Sequence, residues 1–141
     1  MIISVINLKG GSGKTTTAMA LATAAARHNR NVSVLDTDPQ GDATTWAGDA
    51  EDAGETLPFT VDSANIGKLK RLRKTMADDE LVIIDCPPAG NAVNLIRERG
   101  ASVFDASVPK RVGMQKVIGH AFPSNLNGYE DVYLELEEAI A

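Results

Sequence analysis

A chain of 141 residues with a formal net charge of −5 suits one domain and excludes general attraction to nucleic acid, so any DNA contact needs a local basic patch. Aromatic residues make up only 4%, so the core is expected to be aliphatic. The single cysteine, Cys86, excludes an internal disulfide and, alone, a metal site, which suits a reducing cytoplasm; no basic segment leads a long apolar run, so neither a signal peptide nor a membrane span is expected.

Ile2–Leu8 is a short apolar run rich in β-branched residues, and it reads as a buried strand ending before Gly10-Gly11. Lys14–His28 reads as a helix, with Ala18, Leu21, Ala22 and Ala25 on one face. Asn31–Asp36 is a second strand, broken by the turn residues of "DPQGD". Glu51–Thr56 is the best candidate for a flexible loop, and Leu57–Val61 for an edge strand limited by Pro58. Asp62 or Ser63 can cap a helix running to about Met76, with Ile66, Leu69 and Met76 on one face.

Leu81–Asp85 (LVIID) is a third buried strand, stopped by Pro87-Pro88. Asn91–Arg99 is expected to be helix with Gly100 beyond its end, Ser102–Val108 strand, and Tyr129–Ile140 an acidic helix. Strands alternating with helices predict an α/β fold with a mainly parallel sheet.

The segment "NLKGGSGKTTTA" lies where the first strand ends and the first helix begins. Gly-x-x-x-x-Gly-Lys-[Ser/Thr] is the phosphate-loop pattern, but here Leu8 falls where its first glycine should be. Lys9-Gly10-Gly11-Ser12-Gly13-Lys14-Thr15-Thr16 is instead a variant opened by a lysine, and its physics is the same. Glycines let backbone N–H groups turn inward around a phosphate, and the helix adds its positive dipole end. Lys14 supplies a point charge, and the Thr15 hydroxyl can ligate Mg²⁺.

Asp36 ends the second strand at the edge where α/β sheets bind ligands, with Asp38 two residues on, on the same face if the strand persists. One such carboxylate can hold Mg²⁺ through water and the other can orient an attacking water. Asp85 closes four apolar residues in the Walker B pattern, near Mg²⁺. Cys86 reads as a small core residue, and His28 and His120 as surface or satisfied side chains.

These motifs resemble the ParA/MinD ATPases with a deviant Walker A loop, above all the small plasmid-partition ParA proteins. "KGGSGKTT", "VLDTDPQGDATTW" and "LVIIDCPP" carry the likeness, which returns in "VFDASVPKRV". The resemblance implies a P-loop three-layer sandwich formed by residues 1–141 as one shortened domain. It implies ATP/ADP and Mg²⁺ as ligands, with Gly10, Gly11, Ser12, Gly13, Lys14, Thr15, Thr16 and Pro109 around the nucleotide. Thr15, Asp36 and Asp85 would serve the metal, and Asp38 the attacking water. Lys9 would reach the partner's phosphates in an ATP-dependent homodimer, while Lys14 serves its own nucleotide.

The resemblance further implies a weak, partner-stimulated ATPase that binds DNA non-specifically, answers to a ParB-like centromere-binding protein and segregates plasmids or chromosomes. The expected location is the cytoplasm, on the nucleoid. Lys110, Arg111 and Lys116 are the candidate DNA contacts. The Lys68–Lys74 cluster is read as a solvated helix and stands next in line. A basic membrane anchor is not expected, since Val117–Ala141 holds no lysine or arginine. A nucleotide-binding regulator without hydrolysis, and a metabolic or maturation ATPase, stay as alternatives; the lone cysteine weighs against an iron–sulfur version of the latter.

Members of the family normally carry an apolar strand, a helix and a further strand after the Walker B strand, and the intervening strands are expected to be missing here. Ser102–Val108 is therefore expected to pair beside Ile2–Leu8, giving a sheet of roughly four or five strands.

Overall fold

The structure, a computed structural model, describes residues 1–7, 11, 13–88 and 116–140. Among the described residues, four parallel strands form one sheet in the order β1-β4-β2-β3: β1 (Ile2–Val5), β2 (Asn31–Asp36), β3 (Thr60–Ser63) and β4 (Glu80–Asp85). β4 lies between β1 and β2 and is apolar at every position from Leu81 to Ile84, because both its faces are covered. Leu81 and Ile83 face one side with Val32 and Val34, while Val82 and Ile84 face the other with Leu35.

The first face carries three helices, α1 (Lys14–Arg27), α2 (Asp42–Asp52) and α4 (Tyr129–Ile140). Among the described residues, the second face is covered by α3 (Ile66–Thr75) through Leu69, Leu72 and Met76. The arrangement is the expected three-layer α/β sandwich.

α1 is buried almost all round, from Ala18 to Ala25. Alanines let it approach the sheet on one side and α4 on the other. The α4 side holds Tyr129, Tyr133 and Leu136, and the Tyr129 hydroxyl meets the Thr17 hydroxyl at 2.9 Å. Carboxylates of α4 reach basic side chains at and just beyond the end of α1: Glu130 lies 3.1 Å from His28 and 3.8 Å from Arg27, and Glu137 lies 3.3 Å from Arg30.

Several expectations need correction. The first strand ends at Val5, so Ile6 and Asn7 already belong to the loop. The edge strand lies at Thr60–Ser63 rather than Leu57–Val61; Pro58 precedes the ladder instead of sitting in it. Asp62 and Ser63 are therefore strand residues, and the cap of α3 is Asn65, whose side chain accepts from the Lys68 N–H at 3.0 Å. Ile66 does not join the buried face; it is 72% exposed.

Glu51 and Asp52 belong to α2, and Glu55 is tied down by the Ala121 N–H and by His120. The core is not simply aliphatic either, because Trp46, Phe59, Phe122, Tyr129 and Tyr133 are all buried in it. The helix expected at Asn91–Arg99 and the strand expected at Ser102–Val108 lie outside the described residues, and the expected pairing of that strand with β1 lies there with them.

The aromatic part of the core joins α2 to the segment before α4. Trp46 stacks on Phe122 with ring centroids 5.4 Å apart, and its Nε1–H donates to the His120 carbonyl at 2.8 Å. Removing the Phe122 ring leaves a void beside the only tryptophan. Phe122→Ala is expected to destabilise the chain by about 3–4 kcal/mol and to red-shift Trp46 emission in the folded baseline. Urea unfolding followed by tryptophan fluorescence measures both; a loss below about 1 kcal/mol would mean the stack does not hold this segment down.

Candidate functional site

Parallel pairing brings the chemistry together at one edge of the sheet. In the β2–β4 register Asp36 stands opposite Asp85, both at the C-terminal ends of their strands. Strand alternation points both toward the α1 face, as with Val34 and Ile83 two residues earlier. Asp36 is 3% exposed and Asp85 fully buried, so two carboxylates are held side by side out of water. Thr37 closes this edge, since its N–H and its hydroxyl both donate to the Asp85 carbonyl, at 3.0 and 2.8 Å.

α1 begins at the same edge. Gly11 and Gly13 have φ of +66° and +83°, and a Cβ at either position would meet nothing within 4 Å. The loop therefore needs these glycines for backbone conformation and not for space. Gly13 caps α1 without a side-chain hydrogen bond, and no acidic residue lies in the first turn, which leaves the positive helix end open to an anion. Lys14 is buried at the head of the helix, near enough to Asp85 for its charge to lower that carboxyl's pKa. The Thr15 hydroxyl donates to Asp85 Oδ2 at 2.6 Å, and Thr16 follows on the same turn, half-buried.

The two carboxylates are treated differently. Asp36 is satisfied by backbone: Oδ1 accepts from the Asp38 N–H at 3.1 Å, and Oδ2 from the Thr44 N–H at 3.0 Å and the Thr44 hydroxyl at 3.3 Å. Thr44 lies in the first turn of α2, whose own cap, Gly41, offers no side chain. Asp36 thus caps α2 from a neighbouring strand. Asp85 Oδ1, by contrast, is buried with no hydrogen-bond partner among the described residues.

Burial, reinforced by the Asp36 and Asp38 charges, pushes the Asp85 carboxyl up to about 6, against the lowering effects of the Thr15 hydroxyl and Lys14. An orphaned carboxylate oxygen beside a threonine hydroxyl suits a hard cation such as Mg²⁺, which takes one or two protein ligands together with phosphate oxygens and water. No group of three His, Cys, Asp or Glu side chains among the described residues could hold a metal by itself.

Asp38 does not stand on the strand beside Asp36. The strand ends at Asp36 and the chain folds back, so that Asp38 Oδ1 accepts from the Gln40 N–H at 3.0 Å and its carbonyl from the Gly41 N–H at 2.9 Å. Asp38 remains near enough to act on Asp85 electrostatically. Lys9, Gly10, Ser12, Pro109, Lys110 and Arg111 lie outside the described residues, and Lys116 is exposed on the α2 side of the sheet, next to buried Val117.

Cys86 is half-buried against Leu35 and Val82, with its thiol pKa raised by burial, as a packing residue requires. His28 and His120 pair with Glu130 and Glu55. Among the described residues, no helix is long and apolar enough to cross a membrane. The residue that the motifs did not single out is Thr44; only its place in "DATTW", just after the second carboxylate, hinted at it.

Residues 3–124 match the CobQ/CobB/MinD/ParA nucleotide binding domain. The chain belongs to that family. Similar proteins include "Maintenance of carboxysome distribution protein A" of Gloeobacter kilaueensis, 40% identical over 88 residues that make up 62% of this chain and 39% of the relative. The chromosome-partitioning ATPase Soj of Thermus thermophilus is 32% identical over 120 residues, 66% of this chain and 48% of Soj. The chromosome partitioning protein ParA of Caulobacter vibrioides is 47% identical over 60 residues, 43% of this chain and 22% of that protein.

A solved cobyrinic acid a,c-diamide synthase from Mycobacterium smegmatis, with bound ATP analog and magnesium, superimposes with a TM-score of 0.51 at 25% identity, over 97% of this chain and 81% of that one. The family chain thus spans about half or less of the length of these curated relatives. It is a ParA-type nucleotide-binding domain in a parallel α/β frame.

The raised Asp85 pKa fixes a pH dependence. With a folded value of about 6 against an ordinary 3.8, the folded chain keeps a proton that the unfolded chain gives up between about pH 4 and 6. Stability is therefore lost as pH rises through this window, and at pH 7.5 the penalty is on the order of 2–3 kcal/mol. Without nucleotide or metal, Asp85→Asn should melt higher than the parent at pH 7.5 and level with it near pH 4. Equal melting temperatures at both pH values would refute this.

Proposed function

We propose that this chain is a ParA-type ATPase folded as one shortened domain over residues 1–141. The reading is carried by the Thr15–Asp85 hydrogen bond, which ties the open end of α1 to the carboxylate whose other oxygen is orphaned, with Lys14 near enough to act on it by charge. In this reading Gly10, Gly11, Ser12, Gly13 and Thr16 turn N–H and hydroxyl groups toward the phosphates of ATP, and Pro109 is a further nucleotide contact. Lys14 holds the β- and γ-phosphates. Thr15 and Asp85 hold Mg²⁺, with Asp36 behind them acting through water; the ion, when bound, neutralises charge on the phosphate oxygens. Asp38 orients the attacking water from a loop that Asp36 fixes in place.

Lys9 completes a second subunit's site in an ATP-dependent dimer. The dimer binds DNA without sequence preference, with Lys110, Arg111 and Lys116 among its contacts, and a ParB-like centromere-binding protein stimulates turnover. This assigns the chain to DNA segregation on the nucleoid. The partition names of Soj and ParA among its relatives support the assignment.

One observation favours a second reading, nucleotide binding without significant hydrolysis. The alignment with Soj spans 120 positions but uses only 66% of this chain, so Soj carries residues in that interval that this chain does not. A site lacking part of its frame would bind phosphate and turn over slowly.

Two substitutions test the roles. Lys14→Ala is expected to abolish ATP binding in calorimetry, and wild-type affinity in that variant would show that the loop is not the site. Asp38→Ala should leave ATP affinity within about threefold and lower turnover at least about tenfold, since water positioning matters only as the transition state forms. Hydrolysis at the parent rate would remove Asp38 from the mechanism, while a parent chain with no turnover, with or without DNA, would establish the second reading.

A further inference from the structure

We infer that the outer face of α3, built on Lys70, Arg71 and Lys74, is a surface that tracks the phosphate backbone of duplex DNA. This rests on the DNA-binding part of the proposed function and places the contact on a different side of the molecule from Lys116.

α3 carries Lys68, Lys70, Arg71, Arg73 and Lys74, five of the chain's fourteen basic residues, within ten positions and with no acidic residue. At 100° per residue, Leu69, Leu72 and Met76 form the stripe that packs on the sheet. Gly67, Lys70, Arg71 and Lys74 point the opposite way, with Lys68 and Arg73 at the margins, and every cation is exposed. A groove of about 620 Å³ runs along the helix, lined among the described residues by Asn65, Gly67, Lys68, Arg71 and Thr75.

Helix stability does not explain this charge. Lys70 and Lys74 are four apart, and Lys70–Arg73, Lys68–Arg71 and Arg71–Lys74 are three apart, so every close pair on the surface repels. Lys68 also sits in the first turn, where a cation opposes the helix dipole. The only described carboxylate paired with this helix is Asp62, 3.8 Å from Lys68 at an exposed margin. Elsewhere the chain does answer its charges: Glu130 and Glu137 of the acidic α4 meet Arg27 at the end of α1 and Arg30 just beyond it.

A row of repelling, unanswered cations on an otherwise acidic protein fits a polyanion with regularly spaced charge, and displaced counterions would drive the association. Lys116 is next to Val117, which belongs to the core on the other side of the sheet, so Lys116 and the α3 cations lie on separate surfaces.

The test is binding of the full chain, with ATP and Mg²⁺, to a short random-sequence DNA duplex over a range of salt concentrations. Lys70→Gln/Arg71→Gln/Lys74→Gln should reduce the slope of log K against log salt by about 2–3 and weaken binding at least about tenfold near 0.1 M salt. Single Lys70→Gln and Lys74→Gln variants should each lower the slope by about 1, so the result does not hang on the fold of the triple variant. The triple variant should melt at or above the parent temperature, because repulsion has been removed.

If the parent binds and the α3 variants keep its slope while Lys110→Gln/Arg111→Gln/Lys116→Gln loses it, the inference is overturned and the DNA-binding reading stands. The inference is equally overturned if the α3 variants change only the oligomeric state. A parent that binds no duplex in any nucleotide state removes the reading and the inference together.

Discussion

Asp36 and Asp85 end adjacent parallel strands in matched register, and both point into the same buried corner. Two like charges in such a place raise the free energy of the fold unless each is answered. The chain answers one with its own backbone and leaves the other half answered. Asp36 draws on the N–H groups of Asp38 and Thr44, and in doing so fixes the loop from Thr37 to Gly41 and the start of α2. Asp85 receives one hydroxyl, from Thr15, and keeps one oxygen bare. The rest of the site follows from that asymmetry: α1 is held to β4 by the Thr15 bond, Lys14 is buried close by, and the remaining carboxylate oxygen suits a cation.

The frame that creates the corner was largely legible in the residues. NVSVLD and LVIID read as buried strands because a strand covered on both faces must be apolar at successive positions, and each ends in the carboxylate that now faces the other. The alanine pattern of α1 and the run from Tyr129 to Ile140 were equally plain. α2 was not. Its sequence, DATTWAGDAED, has three buried positions in eleven, a glycine, and two threonines, and it lacks the cap signal at its own start. The group that caps it, Asp36, lies several residues upstream on a strand, so no local pattern announces the helix. The same blindness to distant partners misplaced the loop at Glu51–Thr56, since Glu55 is anchored by Ala121, 66 residues on.

The low aromatic content misled in a different way. A 4% share sets how many rings there are, not where they go. Trp46, Phe59, Phe122, Tyr129 and Tyr133 gather on the first face, because the alanine-rich α1 leaves room that large side chains of α2, of α4 and of the segments before β3 and α4 must fill. Among the described residues, the buried core of the opposite face is aliphatic: Leu35, Leu72, Val82 and Ile84. Small residues on one helix thus explain both the close approach of α1 to the sheet and the aromatic packing around it. They also explain why a tyrosine of the last helix reaches Thr17, two residues from the hydroxyl that binds Asp85.

The sheet also separates the two charge systems of the molecule. The Asp36–Asp85 pair faces α1, while the cations of α3 lie on the far side, pointing away from the strands. Had α3 packed on the first face, its lysines and arginines could have neutralised the buried carboxylates, and the bare Asp85 oxygen would have had no need of a further cation. Separation by the strands keeps both needs open: a buried anionic corner that suits a small divalent ion, and an exposed cationic helix that suits an extended polyanion. The two are joined through backbone. The Asp36 carbonyl accepts from the Ala64 N–H at 2.8 Å, one residue before the Asn65 cap of α3, so the strand end that positions the carboxylate also positions the start of the basic helix.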